Sequence, residues 1–131
     1  MENGIPDFLT QTPSESENPT IRSVCMVDRL AKIYETRLWY PIVYHVYGGI
    51  RIPSVRDTVK KVTEMTDAQG GTVLDIACGT GIYTRSIAKE ADKVYGIDIS
   101  QGMLEQLRKR SDKVGLSNII LARADVENLP F

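Results

Sequence analysis

The sequence predicts an α/β domain, a parallel sheet with flanking helices that runs through three strands and is preceded by N-terminal helices. Three observations predict it. From residue 72 onward, short apolar runs alternate with segments of helical pattern. Strands that read as near-continuous apolar runs belong to parallel sheets covered by helices. A Gly-Thr-Gly turn, residues 79–81, follows the first run and opens a helix, and each run ends in or beside an aspartate: Asp75, Asp98 and Asp125.

The elements follow in order. Residues 1–20 carry Glu2, Asp7, Glu15 and Glu17 and no Lys or Arg, and read as a disordered acidic tail. Residues 21–69 read as a helical cap or lid. Within it, Val27, Leu30, Ala31, Tyr34 and Leu38 share one helical face over about 23–38. Pro41 interrupts that helix. Five of the nine aromatics, Tyr34, Trp39, Tyr40, Tyr44 and Tyr47, crowd the next stretch. They either pack the first helix onto the sheet or form a lid over a flat apolar pocket. A second helix starts at Ser54, an N-cap with Asp57 in position to reach back, and buries Val55, Val59, Val62 and Met65. Gly70-Gly71 turns the chain.

Residues 70–131 then form the sheet unit. Strands are expected over 72–77, 93–99 and 119–124, with helices over about 82–91 and from Ser100 to Gly115. The last helix buries Met103, Leu104, Leu107 and Val114, and its basic end suits the helix dipole. The crossovers are right-handed.

Composition excludes several classes. With 131 residues the chain is at most one domain. Hydrophobic content of 42% and charged content of 25% are ordinary for a globular protein, and a net charge of −1 gives no reason to expect a nucleic-acid partner. Cys25 and Cys78 have no metal-ligand spacing and there is no histidine cluster, so no metal site is expected. Neither a signal peptide nor an 18-residue apolar run is visible, which points to a cytoplasmic protein with reduced thiols.

The strand ends suggest the ligand. In open parallel sheets ligands bind beyond the carboxyl ends of the strands. Gly79 and Gly81 allow positive φ and close approach, and the helix that follows offers N–H groups to an anion. Asp98, placed 19 residues after Gly79, can accept from both ribose hydroxyls. Asp125 can accept from an exocyclic amine such as that of adenine. A pyrophosphate beside Asp75 would be repelled, whereas a ligand carrying positive charge there would be favoured. The third glycine of a dinucleotide fingerprint is missing, since Ile82, Tyr83 and Thr84 follow Gly81.

V-L-D-I-A-C-G-T-G (73–81), V-Y-G-I-D-I-S (94–100) and A-R-A-D-V-E-N-L-P-F (122–131) resemble the three successive motifs of class I S-adenosylmethionine-dependent methyltransferases. The resemblance covers roughly residues 70–131, the N-terminal, cofactor-binding half of that Rossmann-like fold. It implies S-adenosylmethionine as cofactor and methyl transfer to a small-molecule or lipid-like acceptor. It also implies a binding set of Asp75, Ala77, Cys78, Gly79, Thr80, Gly81, Asp98, Ile99, Met103, Ala124, Asp125 and Val126. Within that set Asp75 would meet the methionine ammonium, Ala77 and Gly79 the methionine chain, Asp98 the ribose, and Asp125 with Val126 the adenine. Catalytic residues are unassigned. His45 is a candidate general base, against a packed or surface histidine, and Cys78 is a poor nucleophile with no neighbouring His or Lys in sequence. The family sheet has seven strands in the order 3-2-1-4-5-7-6, so with three strands the first is an exposed edge, open to a homodimer or a partner chain. Two other classes fit less: a non-catalytic subunit completed by a partner, and a nicotinamide-binding oxidoreductase domain.

Overall fold

A computed structural model of the protein describes residues 4–9 and 54–129, together with 19, 23, 28, 31–33, 42 and 46. Helix α1 (Val55–Thr66) starts where the sequence places it. The Ser54 hydroxyl accepts from the Asp57 N–H at 3.2 Å, capping the orphan N–H end, and donates to the Asp57 carboxylate at 2.6 Å. The inward stripe differs from the expected one. Thr63 is buried and Met65 is 75% exposed. The stripe runs through residues 55, 59, 62, 63 and 66, to which Met65 does not belong. Thr63 and Thr66 can sit there because their hydroxyls donate to the carbonyls of Val59 and Val62.

Three parallel strands follow, β1 (Thr72–Ile76), β2 (Lys93–Asp98) and β3 (Ile119–Arg123), in the spatial order β1-β2-β3. The register sets Val73, Val94 and Ile119 side by side, and then Asp75, Gly96 and Leu121. Between the strands lie α2 (Thr84–Ile87), shorter than the expected 82–91, and α3 (Gln101–Lys113). The turns flanking α2 remain hydrogen-bonded from Gly81 to Ala91. Ser100 caps α3 by accepting from the Met103 N–H. Met103, Leu104 and Leu107 are buried as expected, but Val114 is 62% exposed. It stands at the C-cap, where the chain turns at Gly115, and Leu116 packs into the core instead.

The core lies on one face of the sheet, in two clusters. Ala68, Ile87, Ala88, Ala91 and Val94 form one, and Ile5, Cys78, Leu104, Leu107 and Leu121 the other. The opposite face carries Leu74, Tyr95 and Ile120, all partly exposed, and with Pro6 and Phe8 they border an apolar recess of about 450 Å³. Among the described residues no helix covers that face, and no strand pairs with the outer edge of β1.

Residues 4–9 depart from the expected tail. The Phe8 N–H donates to the Arg123 carbonyl and the Arg123 N–H to the Pro6 carbonyl, both at 2.8 Å, so the segment lies parallel along β3. Ile5 is fully buried against the α3 side of the core, and Asp7 pairs with Arg123 at 3.2 Å. One large apolar side chain and two ladder bonds anchor a segment whose composition alone reads as unstructured. Residues 10–18 and 20 lie outside the described residues. So do His45, Cys25, the five clustered aromatics and most of the expected helix over 23–38, within which Ala31–Ile33 form a turn.

Among the described residues, no helix is long and apolar enough to cross a membrane, and no group of acidic, His or Cys side chains could hold a metal ion.

Candidate functional site

The carboxyl ends of the three strands meet in a recess of about 90 Å³ lined by Ile76, Ala77, Ile97, Asp98, Ile99, Ala124, Asp125 and Val126. Six of the residues expected from the sequence are therefore brought together on its wall. Ile76 and Ile97 join them, and sequence reasoning missed both. Their signal was available: each is the last apolar residue before a strand-end turn.

β1 ends in a tight turn. Ala77 takes φ +59°, Gly79 +55° and Gly81 +79°. The two glycines answer to different needs. A Cβ on Gly79 would meet nothing within 4 Å, whereas a Cβ on Gly81 would lie 2.0 Å from Cδ1 of Leu107. Gly81 is thus glycine because α3 packs against the turn, and Gly79 because of its backbone angle. Three of the turn's N–H groups are engaged internally: Cys78 donates to Ile97, Gly81 to Cys78, and Gly79 to the Asp98 carboxylate at 2.7 Å. These three are not aimed at an anion, and the helix that follows, α2, has only four residues.

Asp98 is the hub. One carboxylate oxygen accepts from the Gly79 N–H and the other from the Ser100 N–H at 2.8 Å. A carboxylate has about four lone-pair sites, so these bonds leave capacity for a ligand hydroxyl. Burial pushes its pKa up, the Ser100, Gly79 and Ile99 N–H groups oppose this, and the nearby Asp28 carboxylate adds to the rise. Asp75 lies on the same side of the sheet and accepts from the Thr84 hydroxyl at 2.6 Å. Burial raises its pKa, the Thr84 bond lowers it, and the charge of Asp98 raises it again. Asp125 caps the short 3-10 turn Val126–Asn128 by accepting from the Glu127 N–H at 3.0 Å.

The other expected residues lie behind the wall. Cys78 belongs to the core cluster, and burial with the charges of Asp98 and Asp75 drives its thiol far above the ordinary range. Thr80 and Met103 are 3% and 4% exposed and do not line the recess. Asp75, Gly79 and Gly81 support the turn beside it. Asp28 and Thr84, bonded into this network, were not singled out in the sequence. Thr84 could have been found as the first helical residue after the turn.

Residues 73–131 match the family model described as a methyltransferase domain. The chain is 41% identical over 71 residues to a demethylmenaquinone methyltransferase of Staphylococcus saprophyticus, an alignment covering 52% of this chain and 30% of that protein. It is 42% identical over 65 residues to the aklanonic acid methyltransferase DauC of a Streptomyces species, covering 47% and 30%. A solved structure of a SAM-dependent methyltransferase from Aquifex aeolicus superposes with a TM-score of 0.50 at 28% identity, over 56% of this chain and 41% of that one. The chain thus spans less than a third of the length of these two curated relatives.

Proposed function

We infer, from the premise that residues 73–131 belong to the class I S-adenosylmethionine-dependent methyltransferase family in its N-terminal, cofactor-binding half, that the protein takes part in methyl transfer from S-adenosylmethionine. The observation that carries this reading is the hub at Asp98. A half-buried carboxylate at the end of β2, held by the Gly79 and Ser100 N–H groups, borders the strand-end recess.

The donor set fits the cofactor. Asp98 would accept from the ribose hydroxyls, and Ile76, Ile97, Ile99, Ala124 and Val126 would flank the adenine and keep water from it. Asp125 would face its amine. The open space over Gly79 leaves room for the methionine chain. Asp75 supplies negative charge near the turn, where the ammonium and sulfonium would gain from it. When bound, S-adenosylmethionine supplies a methyl group on a positively charged sulfur, an excellent leaving group. The residues here need only hold the cofactor, orient it for an in-line displacement and exclude water. The internal bonds of the Cys78, Gly79 and Gly81 N–H groups and the Asp75 carboxylate disfavour a nicotinamide dinucleotide, whose pyrophosphate needs such donors.

A small-molecule or lipid-like acceptor is supported by two relatives named for demethylmenaquinone and aklanonic acid. A second reading, a cofactor-binding subunit completed by another chain, is favoured by the outer edge of β1 and the apolar face beside it.

Calorimetric titration with S-adenosylhomocysteine tests the first reading. Wild type should bind, Asp98→Ala should weaken binding by roughly tenfold or more, and NADH should give no heat. Binding of NADH, or indifference to Asp98→Ala, would refute it. Co-purification of a second polypeptide with the chain, joined by light scattering of the purified species, separates the second reading from the first.

A further inference from the structure

Asp28 is distant in sequence from the strand-end aspartates, yet it bonds to Ser100, the residue whose N–H holds Asp98. One of its carboxylate oxygens accepts from the Ser100 hydroxyl and, at 3.0 Å, from the Gly102 N–H. Both donors belong to the first turn of α3, where N–H groups lack helical partners. Ser100 in turn donates its own N–H to Asp98 and accepts from the Met103 N–H. The chain of bonds therefore runs from Asp28 through Ser100 to Asp98, and from Asp98 to the Gly79 N–H.

The approach has a steric condition. A Cβ on Gly102 would lie 3.0 Å from the Asp28 carbonyl oxygen and 3.2 Å from both its Cα and its carboxylate oxygen. Glycine is a poor choice within a helix on propensity grounds. Here its lack of a side chain lets Asp28 lie directly on α3. Two independent features, a carboxylate shared by two donors and a glycine that admits it, describe the same contact.

We propose that Asp28 is a positioning residue for the cofactor: it clamps the first turn of α3 and, through Ser100, fixes the Asp98 carboxylate in the orientation that the ribose hydroxyls meet. The proposal rests on the cofactor reading above. Its consequence is that cofactor affinity depends on Asp28, a residue that does not line the recess.

The clamp places a second negative charge near Asp98. The other titratable groups facing Asp98 are Asp75 from β1 and Cys78 from the turn, with Asp125 across the recess. Ribose recognition needs the Asp98 carboxylate ionised. Affinity should therefore rise as pH rises through the Asp98 pKa, and removing the charge of Asp28 should move that rise to lower pH.

The experiment pairs carbon-13 NMR titration of the Asp98 carboxyl in the free chain with calorimetric titration of S-adenosylhomocysteine across pH. Three variants are compared with wild type: Asp28→Ala, Asp28→Asn and Gly102→Ala. Asp28→Ala and Gly102→Ala should each weaken binding by about tenfold at neutral pH. Asp28→Asn keeps an oxygen acceptor and should restore most of the affinity, while the Asp98 titration and the pH dependence of binding shift to lower pH. Wild-type affinity in Asp28→Ala with an unmoved Asp98 titration would overturn the proposal. If Asp28→Ala and Gly102→Ala fail to fold, Asp28→Asn decides: an unchanged Asp98 titration there overturns it equally. Wild type that binds no S-adenosylhomocysteine, with an Asp98 titration that still follows Asp28, would refute the cofactor reading and the positioning role built on it, and leave the clamp as a structural contact alone.

Discussion

Gly81 and Leu107 touch so closely that a methyl group on Gly81 would stand 2.0 Å from the Leu107 side chain. The second glycine of the Gly-Thr-Gly turn is therefore set by packing between the turn and α3. Gly81→Ala should destabilise the fold by about 3 kcal/mol, combining overpacking with a positive φ. Gly79→Ala meets open space and should cost only about 1 kcal/mol, from backbone angle alone. Urea unfolding of the two variants side by side measures the difference. Equal losses would show that Leu107 yields freely.

Asp75 should make stability depend on pH in a definite direction. Its folded pKa is raised, chiefly by burial, so the native chain binds its proton more tightly than the unfolded chain does. Stability from this group is greatest below the unfolded value of about 3.8. It falls as pH rises toward the folded pKa and stays reduced above it. Asp75→Asn keeps an acceptor for Thr84 without the charge. It should stabilise the chain at neutral pH and lose that advantage in acid. Denaturant midpoints at neutral and acidic pH test this; a variant less stable than wild type at neutral pH would contradict it.

Cys78 should be inert in the native chain. It is 9% exposed, and its thiol is held far above its usual range by burial and two carboxylates. Iodoacetamide at mildly alkaline pH should leave the Cys78 peptide unmodified, and denaturant should make it react fully. Peptide mass spectrometry reads this site by site, independent of Cys25. Rapid native labelling would place Cys78 outside the core.

Ile5 should matter more than a residue five places from the start of a sequence usually does. It is fully buried against Leu104, Leu107 and Leu121. Ile5→Ala should cost about 2–4 kcal/mol. Asp7→Asn should cost less than about 1 kcal/mol, because its ion pair with Arg123 is partly exposed. Thermal unfolding of both variants checks the ratio. An Ile5→Ala chain as stable as wild type would mean that residues 4–9 are not docked in solution.

Much of the sheet unit was legible in the sequence because local and global signals agree there. Apolar runs, the Ser54 and Ser100 caps and the Gly115 stop each mark an element boundary within a few residues. The gathering of Asp98, Ile99, Ala124, Asp125 and Val126 was legible too, since parallel strands bring their carboxyl ends together. What was not legible depends on contacts remote in sequence. Ile5 sits in an acidic, polar stretch whose composition outweighs one isoleucine until β3 is in place. Thr63 replaces Met65 on the inner face of α1 because internal hydrogen bonds let threonine be buried. Cys78 points into the core because Ala77 turns the chain over, and no property of a cysteine announces that. Asp28 gives no local sign at all, since its partners lie more than 70 residues away.

The pairing of residues 6–8 with Arg123 also bears on the order of events during synthesis. A chain is made from its N-terminus, so the arm leaves the ribosome well before its docking surface on β3. Asn118, which closes the end of α2 by donating to the carbonyls of Ala88 and Ala91, arrives equally late. Residues 4–9 must wait, with Ile5 in water, for more than a hundred others before they find their place. Contacts so distant along the chain slow folding, because the loop between them must close first. During that wait, the waiting arm of one nascent chain and the β3 edge of another are complementary, so polysome crowding favours exchange of arms between neighbours.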